Sequence, residues 1–345
     1  MIRWYILLLI FSLAIASCQK EPAKPNEPNA STGSGVFICN EGGFGFGNAS
    51  VSFYDLEKDS LSDQLFQRAN GRPLGDVLQS MYIRDSLAYL LVNNSNKIEV
   101  VRVKDFKSVA TIEGLISPRY FLPVNADKAY VSDLYADVIS VVDLERNEIT
   151  GTISLKGWSE EMALSGTLAF VTVRENRFLY MLDTELDQVV DSIEVGFNPS
   201  SIQQDKNGML WVLCSGDQGT GEVGGLYQVD PNSESVLRIL AFSDTEIGGW
   251  PRLRINGSRD TLYYLKEAVF QFPIGNANLP EEALIPADDR IFYGLGIHPE
   301  TGKVFVSDVI DYQQKGVIYC YDQEGSLLRS FKAGVIPNDF VFYEQ

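Results

Sequence analysis

The stretch NEGGFGFGNAS, Asn40 to Ser50, sets glycines and two phenylalanines, Phe44 and Phe46, in strict alternation. A glycine-rich loop cradles phosphate when it follows a strand and opens a helix, so that backbone amides and the helix dipole meet the anion. Here the next residues, ASVSFYD, alternate as a strand, so no helix terminus is on offer and the phosphate reading falls. The glycines instead supply special backbone angles in a long loop that carries a mobile aromatic lip. Other chemistry is equally thin. Cys39, Cys214 and Cys320 lie far apart in strand-like runs, without the C-x-x-C spacing of metal or redox sites, and read as buried apolar cysteines. The single histidine, His298, sits in the turn HPETG. Glu41, Asp133, Glu175, Asp308 and Asp339 remain for a calcium or acid–base site, and nothing in their spacing favours a metal.

The chain that must position these residues has 345 of them, enough for one large or two medium domains. With 28 Lys and Arg against 46 Asp and Glu, its net charge of −18 repels nucleic acid and anionic membrane surfaces. The start, MIRWYILLLIFSLAIASC, has a basic Arg3, an apolar run and small residues before Cys18, which is the pattern of an export signal over residues 1–17. IASC resembles the lipobox of bacterial lipoproteins, which implies cleavage before Cys18 and lipidation of that residue. The segment after it, QKEPAKPNEPNASTGSG, has no large apolar residue, and 18–34 reads as a disordered tether starting at Cys18. QKE behind the cysteine resembles the surface-export signal of Bacteroidetes lipoproteins, which implies an outer-membrane, lipid-anchored protein exposed at the cell surface.

Internal repetition sets the fold. KAYVSDLYADVISVVDLERNEITGTISL (Lys128 to Leu155) and TLAFVTVRENRFLYMLDTELDQVVDSIEV (Thr167 to Val195) share an aromatic-valine strand, a polar turn, an alternating strand ending in Asp, a hairpin and a last strand. The first copy, from GVFICNEG, lacks its leading strand, and PNDFVFYE at the far end supplies it. Seven repeats of four short strands predict an all-β chain, a seven-bladed β-propeller over 35–345 closed by the C-terminal strand. Two propeller-like half domains would need a break that the sequence does not contain.

In that alignment the lead-in to each innermost strand and the loop between its second and third strands share one face. His298, between first and second strands, falls on the other face, away from any Ser-His-Asp or Cys-His assembly. The shared face gathers aromatics with Arg and Asn, groups that stack on and hydrogen-bond a large, partly flat, polar-edged ligand. The expected ligand-binding residues are Phe44, Phe46, Arg72, Asn94, Arg119, Tyr135, Trp158, Arg174, Asn198, Trp250, Arg252 and Tyr293. No catalytic residue and no metal ligand is expected among them.

The run NGRPLGDVLQSMYI…AYLLVNNSNKIEVV…SPRYFLPV…KAYVSDLYADVISVVDL resembles the YncE-like, YVTN-type propellers that Bacteroidetes carry as surface lipoproteins. Within that group the chain is similar to the cobalamin-binding lipoproteins that cap a TonB-dependent corrinoid transporter. The resemblance implies capture of cobalamin or another corrinoid, transfer to that transporter, no bound cofactor of its own and no covalent chemistry. A metal-dependent propeller hydrolase or lyase, and a scaffold for a glycan or a protein, are the competing functions.

Overall fold

The computed structural model describes residues 33–243 and 251–344. The signal segment, Cys18, the tether up to residue 32 and Trp250 lie outside the described residues. The described chain forms seven antiparallel sheets, which are the blades of a β-propeller. The innermost strands, a, are Pro337–Tyr343 in blade one, Leu78–Arg84, Pro118–Pro123, Ser159–Ser165, Pro199–Gln204, Arg252–Ile255 and Phe292–Ile297. Each packs against the next around a central axis.

Blade one is closed by the far end of the chain. Pro337–Tyr343 pairs antiparallel with Gly35–Asn40, so Val36 faces Phe342 and Ile38 faces Phe340 across the joint. The ring therefore has no open edge at its seam.

Alternation along strand b explains how the blades stick together. In a strand, successive side chains point to opposite faces. Phe37 and Cys39 pack into a cluster with Leu78, Leu90 and Val92 of blade two, whereas Val36 and Ile38 pack with Phe305 and Ile318 of blade seven. Both faces are buried, which is why these strands read as continuous apolar runs. Tyr89 and Leu91 repeat the arrangement against Ala129 and Val131 of blade three. The three described cysteines are unpaired and buried in such seams, as their sequence context predicts.

The Asp that ends each alternating strand is a turn device. Oδ1 of Asp143 accepts from the amides of Glu145 and Arg146, both at 2.9 Å, and Asp183 does the same for Glu185 and Leu186 at 2.8 and 2.9 Å. These side chains replace missing backbone partners in the hairpin between third and fourth strands.

Two features depart from the repeat pattern. Blade six has three strands among the described residues, not four. The segment that should supply its outer strand, IGNANLPEEALIP, carries two prolines that cannot donate to a ladder, and it packs apolar side chains on the sheet while pairing with it through an isolated bridge, Val269–Ile285. Between blades one and two, the short α-helix Leu65–Asn70 buries Leu65, Phe66 and Ala69.

Candidate functional site

In six blades the lead-in to strand a is tied to the turn after strand b of the same blade. Arg174 N donates to Trp158 O at 2.8 Å, Leu134 N to Ser117 O at 3.0 Å, and Ser215 N to Asn198 O at 3.0 Å. These ties build one face of the propeller, here termed the mouth. His298 lies at the other end of strand a, where its Nδ1 accepts from the amides of Glu300 and Thr301 at 3.3 Å, the turn role its sequence predicts.

At the mouth, the register between strands a and b slips in six blades and stays regular in blade six. Bulges of this kind re-aim side chains. Equivalent positions in the seven blades carry Asn338, Gln79, Arg119, Glu160, Ser200, Arg252 and Tyr293, all buried. They form a polar ring across the axis.

The ring is largely bonded to itself. Arg119 Nη2 donates to both carboxylate oxygens of Glu160, at 2.7 and 3.0 Å, and Nη1 donates to Gln79 Oε1. Asn338 Nδ2 donates to Gln79 O at 2.8 Å and to Glu41 Oε1 at 2.9 Å. The Tyr293 hydroxyl meets the Glu41 carboxylate at 3.1 and 3.2 Å. One layer further in, Arg254 bridges Glu161 at 2.8 Å and Asp339 at 3.2 Å. Beneath it a cavity of about 200 Å³ continues along the axis, lined among others by Met81, Tyr120, Phe121 and Met162.

Burial dominates the acidities here. It raises the Glu41 carboxyl above its ordinary range, against the opposing pull of Arg252 and Arg119. It raises Asp339 likewise, against Arg254 and Arg252. The Tyr120 phenol is pushed up to about 12, chiefly by burial. Burial also lowers Arg174.

Above the ring stands an aromatic rim. Trp158 lies under two guanidinium groups, Arg174 at 4.6 Å and Arg119 at 5.6 Å from its ring. Arg252 lies 5.9 Å from the Tyr293 ring, which meets Tyr312 edge-on at 5.8 Å. Phe44 and Phe46 are 76% and 80% exposed, and Tyr135 is 72% exposed, so these rings project into solvent. Phe46 and Tyr312 share a cavity of about 490 Å³ with Gly43, Asn48, Gln313 and Val335.

The loop bearing these phenylalanines is pinned. Gly43 N donates to Asn48 Oδ1 and Gly45 N to Asp76 Oδ2, both at 2.8 Å. Gly42 has φ of 78°, and a Cβ there would sit 2.4 Å from Asn48 Oδ1. The expected mobile lip is thus held at its base, with only the rings free in solvent.

Of the residues expected to bind ligand, the structure gathers Arg119, Trp158, Arg174, Arg252 and Tyr293 around the ring, with Phe44, Phe46 and Tyr135 on the rim. Three others are occupied within the protein. Arg72 reaches outward to Glu99 in the third strand of blade two, at 2.7 Å, and lies over the Phe66 ring. Asn94 donates to Asp76 at 2.6 Å. Asn198 accepts from Glu175 N at 2.8 Å and donates to Gly216 O at 3.0 Å, joining two mouth turns.

The carboxylates divide in the same way. Asp133 caps the amides of Ser117, Tyr135 and Ala136, and Asp308 those of Ile291 and Ile310. Among the described residues no three His, Cys, Asp or Glu side chains converge as metal ligands do. Gln79, Glu160, Glu161, Ser200 and Arg254 were missed as site residues. Their signal was available in the sequence, at the positions just after each strand-a start.

Fold and axis together define a seven-bladed β-propeller whose central channel is closed at one end by a ring of polar side chains. The chain belongs to the DUF5074 family, a domain of unknown function, matched over residues 34–342. No curated protein matches it in sequence. Among solved structures it is similar to a quinonprotein alcohol dehydrogenase-like protein from Bacteroides thetaiotaomicron, with TM-score 0.69 and 13% identity over 91% of this chain and 79% of that one. A functionally unknown protein from Desulfotomaculum acetoxidans gives 0.68 and 13% over 90% and 99%. Dihydro-heme d1 dehydrogenase NirN, solved in complex with DHE, gives 0.61 and 9% over 93% and 76%. At these identities the likeness concerns the fold.

Proposed function

We propose that this protein is a ligand-capturing surface lipoprotein of the outer membrane, anchored through Cys18, that takes up a corrinoid such as cobalamin at the propeller mouth. In this reading it passes the ligand to a TonB-dependent transporter and carries out no covalent chemistry. The observation that supports it most is the pairing of a solvent-facing aromatic rim, Phe44, Phe46 and Tyr135, with a buried polar floor. Exposed aromatic rings lose unfavourable contact with water when a flat ligand covers them. The guanidinium and amide groups beneath suit the amide side arms and phosphate that edge a corrin ring.

The test is calorimetric titration of the purified protein with cyanocobalamin. Binding at micromolar concentration or tighter is expected. No heat and no spectral change at that concentration would remove the ligand while leaving the fold intact.

A further inference from the structure

We infer that the mouth seats a single oxyanion, a carboxylate or a phosphate group, at Arg252 and Ser200. The polar ring is bonded continuously from Tyr293 through Glu41, Asn338, Gln79 and Arg119 to Glu160. It stops there. The two remaining members, Ser200 and Arg252, sit on the innermost strands of blades five and six, which pack side by side.

Arg252 is 7% exposed, and among the described residues its guanidinium makes no hydrogen bond and no ion pair; it lies 5.9 Å from the centre of the Tyr293 ring. Ser200 Oγ is buried with no hydrogen-bond partner among the described residues. An unpaired buried guanidinium is among the costliest groups a fold can hold, and a buried hydroxyl without a partner adds to it. None of the carboxylates around Arg252 pairs with it directly: Glu160 is bonded to Arg119, Glu161 and Asp339 to Arg254, and Glu41 accepts from Tyr293 and Asn338. A guanidinium fork and a hydroxyl on neighbouring innermost strands offer donors suited to two oxygens of a carboxylate or phosphate. Among the described members of the ring, Arg252 and Ser200 are the adjacent pair whose side-chain donors are left without a hydrogen-bond acceptor.

The seat deepens the proposed function and rests on the mouth being the binding face, without requiring the ligand to be a corrinoid. The test uses the full chain titrated with inorganic phosphate and, separately, with acetate, at constant ionic strength set by chloride. Wild type is expected to bind at least one of the two above chloride. Arg252→Gln should weaken that binding by about tenfold or more and Ser200→Ala by about threefold. Without added anion, Arg252→Gln should leave the thermal midpoint nearly unchanged, because among the described residues no hydrogen bond or ion pair of Arg252 is lost.

Response to phosphate alone assigns a phosphate ester, and response to acetate alone a carboxylate; either supports the seat. The proposal is overturned if neither anion binds above chloride, if Arg252→Gln binds them as wild type does, or if that variant loses stability without anion, as a structural arginine would. Parallel titration with cyanocobalamin separates the two readings. Corrinoid binding that is indifferent to Arg252→Gln sinks the seat alone, and anion binding at Arg252 without corrinoid binding sinks the corrinoid alone.

Discussion

Glu160→Gln changes one buried charge and almost no volume, so it isolates what holds the mouth together. The Arg119–Glu160 pair is buried on both sides, with side-chain exposures of 9% and 4%, and is bonded through both carboxylate oxygens. Removing one partner of such a pair costs about 3–5 kcal/mol, mostly because the other charge stays buried without compensation. Arg119 keeps Gln79 and the face of Trp158, which places the expected loss near the lower end, about 3 kcal/mol. For a domain of roughly 300 residues the unfolding entropy near the midpoint is about 0.6 kcal/mol per kelvin, so the midpoint should fall by about 5 °C. Scanning calorimetry reads this directly. Arg119→Met combined with Glu160→Met should recover most of the loss, since an apolar pair of similar volume carries no desolvation cost. A midpoint within about 1 °C of wild type for Glu160→Gln, or a double variant worse than the single, would refute the claim that charge compensation stabilises the ring.

Two other perturbations follow from the same geometry. Phe44→Ala with Phe46→Ala should leave stability within about 0.5 kcal/mol, because both rings are solvent-exposed, yet weaken cyanocobalamin binding by more than about 1 kcal/mol; urea unfolding and calorimetric titration read the two effects separately. Burial holds the Glu41 carboxyl above its ordinary range, so the folded state takes up a proton before the unfolded state does. Its contribution to stability therefore rises as pH falls from neutrality through the folded pKa and is complete below the unfolded value. Glu41→Gln should flatten that part of the stability–pH profile, and a profile identical to wild type would show that Glu41 does not generate the slope.

Much of the fold was legible because propeller blades repeat. KAYVSD and LAFVTV announce the same strand b, and the recurrent Asp of VISVVD and FLYMLD announces the same hairpin. Blade six escaped because its outer segment keeps the length of a strand while its prolines remove the donors a strand needs. Arg72 escaped for another reason. It lies in the lead-in to strand a, where topology puts the mouth, but the buried Glu99 draws its long side chain outward.

By itself, the amino-acid sequence determined the blades, their number, the closing strand and the face on which aromatic and cationic side chains collect, because each follows from local alternation and from repetition along the chain. Only the tertiary structure decided which polar groups are already satisfied. Read from the sequence, Asn94, Asn198 and Asp133 are polar residues at the mouth, as are Arg252 and Ser200. They differ in whether a partner distant in sequence lies within hydrogen-bond reach, and that depends on how the strands and turns are brought together.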